Sequence, residues 1–251
     1  MSYQWERRTW NEHVRSIRRE TVQTHVQGEK VSNIELGPLL RDEEVRSLLR
    51  AAVWERVKDV RGLLYEKEPL DLIDAALMAA PGPRIEIGCL AGYSTCCIAC
   101  ATSDLDQVLS IDLFDIAAVE GWRGWVEQLV GPCFSTMQDF QWLWEQQVRQ
   151  CCPEKRCIPI KGDHVEVLPR VLEVLDGAKA TFLFLDGPHD RVSVDLELEL
   201  YLPLLTPDAI VAFHDYGKDW PGVMGAVDAA LADGRLTTVR EGYLFIARRR
   251  A

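Results

Sequence analysis

The chain has 251 residues, of which 47% are hydrophobic and 27% charged, and its formal net charge is −11 at pH 7. This length fits one large domain, or a domain with an appendage, and the acidic balance disfavours nucleic acids and anionic membranes as partners, because phosphate binding needs basic surface. The sequence shows neither a secretory signal segment nor an apolar run long enough to cross a bilayer, so we expect a cytoplasmic protein.

Helices are predicted over the first 80 residues. Apolar residues recur with helical spacing over 45–57 and again over 68–80, and the Pro-Gly-Pro segment at 81–83 ends the second of these helices. We therefore expect residues 1–80 to form a helical cap that also provides a homodimer contact, and residues 81–251 to form a ligand-binding domain.

A glycine-containing turn follows the first predicted strand, in the segment RIEIGCLAGYST at residues 84–95. Glycines in a turn let backbone N–H groups approach a ligand closely, and the start of the next helix adds a positive dipole end. The carboxylate of Glu86 would repel a pyrophosphate, but it would attract the ammonium and sulfonium groups of S-adenosylmethionine (SAM). We therefore predict a SAM site that includes Glu86, Gly88, Gly92 and Ser94.

The glycine spacing also separates SAM from a nicotinamide dinucleotide. Dinucleotide-binding turns follow the pattern G-x-G-x-x-G, in which the middle glycine admits the pyrophosphate. Here three residues separate Gly88 from Gly92, and the middle glycine is missing. Because many strand-to-helix turns carry glycine for geometry alone, this turn is interpreted together with the preceding glutamate and the strands that follow.

Strands alternate with helices from residue 84 onward. The predicted strands cover residues 84–87, 107–111, 157–160, 181–185 and 209–213, and a hairpin follows at 236–240 and 243–248. Continuous apolar strands between helices indicate a parallel sheet buried on both faces, and the hairpin makes the last strand antiparallel. At the end of the second strand, Asp112 is expected to bind the ribose hydroxyls, with a solvated turn acid as the alternative.

Five parallel strands closed by a hairpin resemble the class I SAM-dependent methyltransferases, and the resemblance covers about residues 65–250. Within this class the chain is most similar to the small-molecule O-methyltransferases, which include catechol and macrocin O-methyltransferase-like enzymes and cephalosporin-hydroxylase-like proteins. The resemblance implies a Rossmann-like, doubly wound, seven-stranded sheet that is mostly parallel, with an antiparallel last strand and the helical cap before it. It also implies that Asp163, with His164 beside it, lines the adenine, while helix capping by Asp163 is the alternative.

Acid and imidazole groups follow the fourth and fifth predicted strands. Asp186 and His189 follow one strand, and His214 and Asp215 follow the next. Because the carboxyl ends of neighbouring parallel strands lie close together, we expect these side chains to form a reactive site, with Asp186 also beside the cofactor. The structural alternative is that His189 caps the following helix and that His214 is a satisfied histidine at a strand end.

Two mechanisms are open for this site. In the first, Asp186, His214 and Asp215 hold a divalent cation that binds the substrate hydroxyl and lowers its pKa. The resembled metal-dependent enzymes hold Mg²⁺ with acids at these two strand ends, but the imidazole of His214 favours Mn²⁺ or Zn²⁺. In the second, His189 accepts the hydroxyl proton as general base while Asp186 or Asp215 orients it. Both can operate together, and the candidate catalytic residues are Asp186, His189 and His214.

Eight cysteines are present, and they are expected to be reduced because the chain shows no secretory signal. Four of them are candidates for a metal cluster, namely Cys97, Cys100, Cys151 and Cys152. The pair at 151–152 lacks the C-x-x-C spacing of zinc sites, however. We therefore expect the cysteines near the glycine turn to pack as small apolar residues.

The predicted function is SAM-dependent methyl transfer to a hydroxyl group of a small molecule, such as a natural-product intermediate. A SAM-binding hydroxylase-like or non-methylating enzyme of the same fold is the alternative. A NAD-type oxidoreductase is disfavoured by the glycine spacing and by the closing hairpin. Segments 64–65, 114–130 and 216–220 are the expected lids over the ligands, and methylation at nitrogen stays open.

Overall fold

A computed structural model describes residues 43–65, 67–103, 106–115, 124, 126–127 and 140–250. Residues 1–42, which make up more than half of the predicted cap, lie outside the described residues. The same holds for most of the expected lid at 114–130 and for Cys133.

Helices and strands alternate through the described ranges. The helices are α1 (Glu43–Val57), α2 (Glu68–Met78), α3 (Tyr93–Ala101), α4 (Phe140–Cys151), α5 (Leu168–Leu175), α6 (Arg191–Tyr201) and α7 (Pro221–Ala232). The strands are β1 (Arg84–Ile87), β2 (Gln107–Asp112), β3 (Arg156–Lys161), β4 (Ala180–Leu185), β5 (Leu205–Phe213), β6 (Leu236–Glu241) and β7 (Phe245–Arg249). Among these helices, none combines the length and the apolar character that crossing a bilayer requires.

The strands form one seven-stranded sheet in the order β3-β2-β1-β4-β5-β7-β6. Strands β1 to β5 are parallel, and β7 is antiparallel to both β5 and β6. In register, Ile87 pairs with Ile111 on one side and with Leu185 on the other, and Leu185 pairs with Phe213. The carboxyl ends of β1, β2, β4 and β5 therefore lie at one edge, and the predicted doubly wound sheet is confirmed.

The central strands are buried on both faces, as their continuous apolar sequences predict. Every residue of β1 and β4 is buried. Along β4, Phe182 and Phe184 pack in a core with α1 to α4, whereas Leu183 and Leu185 pack in a second core with α5, α6 and α7. Alternation of side chains along a strand produces these two cores, one on each face of the sheet.

Helix α2 is fixed to the sheet by buried charges as well as by apolar packing. The guanidinium of Arg84 donates hydrogen bonds to the carbonyls of Ala76 and Ala80. At the far edge, Arg240 of β6 lies 2.6 Å from Asp74, which is buried in α2. The start of α2 is therefore held close to the carboxyl ends of the central strands.

One boundary of the fold differs from its prediction. Helix α6 ends at Tyr201, and a single 3-10 turn at Leu202–Leu204 leads directly into β5. Strand β5 begins at Leu205, four positions earlier than predicted, because Leu205 pairs with Ala180 before a register shift. Asp208 accommodates this irregularity with a φ of +65°.

Candidate active site

A cavity of about 610 Å³ lies at the carboxyl edge of β1, β2, β4 and β5. Nine of the predicted site residues line it: Gly88, Ser94, Asp112, Asp163, His164, Asp186, His189, His214 and Asp215. All three expected lids also contribute, through Leu64 and Tyr65 before α2, through Asp115 after β2 and through Trp220 before α7. Glu86 and Gly92 do not line the cavity, so the structure brings together all but two of the predicted residues.

Glu86 is fully buried beneath the glycine turn. Its Oε2 accepts hydrogen bonds from the hydroxyls of Thr95, at 2.6 Å, and Ser110, at 2.8 Å. Burial raises the pKa of Glu86 to about 7, against the hydrogen bonds that favour its charged form. Trp144 of α4 donates from Nε1 to the same Thr95 hydroxyl. Glu86 therefore ties β1 to α3 and β2, and a direct contact with the cofactor stays a prediction.

The two glycines of the turn admit close neighbours. Gly88 has a φ of +82°, and a Cβ at this position would lie 2.0 Å from the backbone oxygen of Asp186. Gly92 has a φ of +92°, and its Cβ would lie 2.8 Å from Cδ1 of Trp144. Both positions therefore need glycine for packing, in addition to the ligand approach predicted from the sequence.

Asp112 shapes the turn from the end of β2. Its Oδ2 accepts hydrogen bonds from the backbone N–H groups of Cys89, at 2.8 Å, and Leu90, at 2.7 Å. Its Oδ1 accepts from the N–H of Phe114 at 2.7 Å. These bonds give Asp112 a structural role in the turn, and its contact with the ribose stays a prediction. A carboxylate oxygen has two acceptor sites, so Oδ1 retains one for the predicted ribose hydroxyl.

Asp163 and His164 border the cavity from the end of β3. Asp163 accepts a hydrogen bond from the N–H of Val165, and α5 begins only at Leu168, so Asp163 does not cap that helix. His164 is almost fully buried, and its carbonyl accepts a hydrogen bond from the hydroxyl of Tyr201 at 2.6 Å. Burial lowers the pKa of the His164 imidazole and favours its neutral form.

The opposite side of the cavity holds an imidazole–carboxylate cluster, formed by Glu68, Asp186, His189, His214 and Asp215. His214 Nδ1 lies 3.1 Å from Asp186 Oδ1 and 2.9 Å from Asp215 Oδ2. Its Nε2 lies 3.2 Å from Glu68 Oε2, and His189 Nε2 lies 2.8 Å from Asp215 Oδ2. Three carboxylates therefore surround His214, and Asp215 lies between two imidazoles.

These distances determine the charges in the cluster. Burial opposes a charge on His214, but Asp186, together with Asp215 and Glu68, outweighs it and raises the pKa of this imidazole well above its usual value. Burial also raises the pKa of Asp186, against the nearby His214. Burial acts in the same direction on Asp215, but His189 and His214 hold its pKa well below the usual range. At neutral pH His214 is therefore an imidazolium, and its charge offsets one of the three surrounding carboxylates.

His189 is positioned by the stacking of its ring and by the packing of its backbone. Its ring stacks on Trp220, with centroids 4.1 Å apart and planes 33° apart. A Cβ at Gly222 would lie 2.3 Å from the His189 carbonyl, so the start of α7 packs directly on this backbone. The cap of α6 is Asp190, whose side chain accepts from the N–H groups of Val192 and Ser193. The structural alternative in which His189 caps this helix is therefore wrong.

Glu68 is the member of the cluster that the sequence did not indicate. It lies in the first turn of α2, where an acidic residue is ordinarily explained by the helix dipole. Its Oε2 also accepts a hydrogen bond from the N–H of Tyr65 at 2.7 Å, which holds the expected lid against the cluster. No local pattern links Glu68 to strand ends more than a hundred residues later.

The cluster has a donor set suited to a divalent cation, and this set shares Asp186 and Asp215 with the predicted one. Asp186, His189 and Asp215 each offer one ligand atom, and these atoms lie within 4.8 Å of one another. A ligating imidazole must present a lone pair, whereas both nitrogens of His214 face carboxylate oxygens. The residues therefore fit a cation held by two carboxylates and His189, and His214 as a ligand stays a prediction.

Comparison with known proteins adds independent information. The family model for a methyltransferase domain matches residues 85–216, more than half of the chain. An O-methyltransferase from Bacillus cereus, solved in complex with SAH, is 13% identical, and the match covers 84% of this chain and 92% of that chain with a TM-score of 0.56. No curated protein matches the chain.

Two further solved structures are similar. The O-methyltransferase TomG from Streptomyces achromogenes, which is involved in tomaymycin synthesis and was solved with SAM, is 15% identical over 84% of this chain and 91% of that chain, with a TM-score of 0.54. The calicheamicin methyltransferase CalS11 is 16% identical over 88% of this chain and 99% of that chain, with a TM-score of 0.53. At these identities the similarity establishes a common fold.

Proposed function

Since the chain belongs to the family of methyltransferase domains, we propose that it transfers the methyl group of SAM to a hydroxyl group of a small molecule, such as a natural-product intermediate. One observation carries this proposal. A single cavity has the glycine turn on one side and the imidazole–carboxylate cluster on the other. A donor bound at the turn would thus have its methyl group directed toward side chains that can accept a proton.

The electrostatics of the cavity support SAM as the donor. Its acidic lining residues are Glu68, Asp112, Asp115, Asp163, Asp186 and Asp215. This lining favours a ligand with a sulfonium and an ammonium group, and it disfavours the pyrophosphate of a dinucleotide. Two of the similar structures contain SAM or its product SAH, which agrees with this assignment.

His189 is the proposed general base. Its Nε2 lies 2.8 Å from Asp215 Oδ2, and a hydrogen bond from Nε2 to this carboxylate leaves the lone pair on Nδ1. Nδ1 accepts the proton of the substrate hydroxyl as the oxygen attacks the methyl carbon and the carbon–sulfur bond breaks. Stacking on Trp220 fixes the ring, and the resulting imidazolium is stabilised by Asp215.

His214 and Asp186 have supporting roles in this scheme. The imidazolium of His214 offsets one of the negative charges of Glu68, Asp186 and Asp215, so less uncompensated negative charge accumulates inside the protein. A divalent cation bound by Asp186, His189 and Asp215 would lower the pKa of the substrate hydroxyl. His189 cannot ligate a cation and accept the proton with the same nitrogen, so metal dependence and general-base catalysis by His189 can be separated experimentally.

Calorimetry and product analysis test the proposal together. We expect SAM and SAH to bind more tightly than NAD, and we expect labelled methyl groups from SAM to appear on the oxygen of hydroxylated small molecules. Tighter binding of NAD would contradict the donor assignment. Labelled methyl groups on nitrogen would contradict transfer to a hydroxyl group and would make the acceptor an amine. If chelator treatment abolishes turnover while His189→Gln remains active, the general-base role is wrong.

A further inference from the structure

A second group of reactive side chains lies where α3 meets the end of α4. The thiol cluster consists of Cys96, Cys100, Cys151 and Cys152. The Sγ atoms of Cys100 and Cys151 are 3.8 Å apart. One ligand atom from each of Cys96, Cys151 and Cys152 lies within 4.8 Å of the others. Cys151 therefore links Cys100 to the group that contains Cys96 and Cys152.

Local structure explains why these sulfurs meet. Cys96 and Cys100 are four residues apart in α3, so their side chains lie one above the other on the same face of the helix. Cys151 is the last residue of α4, and the N–H of Cys152 continues the helical pattern by donating to the Val148 carbonyl. Both thiols at this helix end therefore face the same side of α3.

The observed spacing is that of a mononuclear metal site. Zinc–thiolate bonds are about 2.3 Å long and tetrahedral, which places neighbouring sulfurs about 3.8 Å apart. The Cys100–Cys151 separation has this value, and Cys151 also belongs to the group of three, with Cys96 and Cys152, whose ligand atoms lie within 4.8 Å of one another. We propose that Cys96, Cys100, Cys151 and Cys152 bind one Zn²⁺ ion in a structural site that ties α3 to α4.

The surroundings suit such an ion. Thiolates are soft ligands that select zinc over the hard cations Mg²⁺ and Ca²⁺. Binding forms four zinc–sulfur bonds and releases the thiol protons to solvent, which leaves a net negative site. Arg56 of α1 supplies positive charge next to it, because its Nε donates to the Cys151 carbonyl at 2.8 Å. Cys100 and Cys151 are half-buried, which gives the ion a path of entry.

This site differs from the cluster considered from the sequence. That cluster included Cys97, which is fully buried one position along α3 from Cys96 and is not in the group of three that Cys96 forms with Cys151 and Cys152. Packing alone would bring sulfur against carbon, whereas here the Cys100 sulfur lies against that of Cys151, and Cys96 and Cys152 lie close to Cys151 as well.

The full chain, reduced and stripped of metal under anaerobic conditions, provides the test. We expect it to bind one equivalent of Zn²⁺ in competition with a chromophoric chelator. Co²⁺ in its place should show sulfur-to-cobalt charge transfer and the intense bands of tetrahedral coordination. Cys100→Ser and Cys152→Ser should weaken Zn²⁺ binding at least about 100-fold, because each removes one of four ligands. Cys97→Ser, in the same helix, should bind zinc as the unaltered protein does.

Several results would overturn the proposal. The proposal is wrong if the reduced chain does not bind zinc, or if both ligand variants bind zinc as tightly as the unaltered protein. It is also wrong if the cobalt spectrum lacks sulfur charge transfer, because the ion would then belong to the imidazole–carboxylate cluster. If the protein binds no zinc and peroxide instead converts pairs of these cysteines into disulfides, with the loss of two hydrogens per pair, the cluster is a disulfide system. Circular dichroism verifies the fold of each variant. Because Cys100 is half-buried, Cys100→Ser disturbs the packing less, and it provides the test if Cys152→Ser does not fold.

Discussion

The two sides of the cavity are built in different ways. On the side of the glycine turn, Glu86 and Asp112 are occupied by hydroxyls and backbone N–H groups of the same β1–α3–β2 unit. On the other side, Glu68 from α2 meets Asp186 and His214 from the ends of β4 and β5. The first side is a local structure that holds a ligand by shape, whereas the second exists only because distant segments converge.

The two sides also differ in charge. Glu86 is surrounded by hydroxyl groups and burial raises its pKa to about 7, whereas Asp215 lies between two imidazoles that hold its pKa low. A buried carboxylate without a cation binds a proton more tightly on folding, and one with a cation binds it less tightly. Substitutions on the two sides should therefore affect different properties: stability on the turn side and turnover on the cluster side.

The largest effect is expected at His189. His189→Gln removes the general base while keeping a polar side chain, so we expect kcat to fall by about 100- to 10,000-fold with little change in SAM affinity. Steady-state kinetics and calorimetry measure the two quantities. The matched variant His164→Gln, on the turn side, should weaken SAM binding more than it lowers kcat. An equal loss of kcat in both variants would remove the distinction between the two sides.

Gly88→Ala should cause the next largest effect. Its Cβ would lie 2.0 Å from the Asp186 backbone oxygen at a φ of +82°, so the free energy of unfolding should fall by at least about 3 kcal/mol. Gly177→Ala is the control, because its φ is +80° and no atom lies within 4 Å of the added Cβ. That variant should lose only about 1–2 kcal/mol in urea denaturation. Equal losses would show that the close approach of β1 and β4 is unimportant.

Glu86→Gln should change how stability depends on pH. The folded-state pKa of about 7 lies above the ordinary value of 4.5, so the folded protein binds this proton more tightly and loses stability as the pH rises from 4.5 to 7. The glutamine variant lacks this loss and should gain about 3 kcal/mol relative to the unaltered protein across that window. Urea denaturation at several pH values measures the difference. Ser110→Ala removes a hydrogen bond that favours the charged form of Glu86, so it should extend the loss of stability to higher pH. A stability difference between Glu86→Gln and the unaltered protein that does not change with pH would refute the assignment.

The smallest effect is expected at the contact between α4 and the turn. Trp144→Phe removes the hydrogen bond from Nε1 to the Thr95 hydroxyl and should cost about 1–2 kcal/mol of stability. Trp142→Phe in the same helix changes a more exposed side chain and should cost less than about 0.5 kcal/mol. Thermal denaturation separates the two, and equal costs would mean that the buried bond contributes nothing.

The strands, the glycine turn and the residues that end each strand could be predicted from the sequence. Apolar runs and glycine positions are local signals, and the carboxyl ends of parallel strands must share one edge, so Asp186, His189, His214 and Asp215 were expected together. The start of β5 was misplaced because pairing between Leu205 and Ala180 depends on the neighbouring strand.

By itself, then, the sequence determined the doubly wound sheet, the position of the cavity and nine of the polar and glycine residues that line it. Only the tertiary structure decided that Glu86 turns away from the cavity, that Glu68 joins the cluster, that His214 is surrounded by carboxylates, and that Cys96 rather than Cys97 meets Cys151 and Cys152. The physical reason is the same in each case. Contacts, and the charges that depend on them, involve segments far apart in the chain, and no local periodicity records which of them touch.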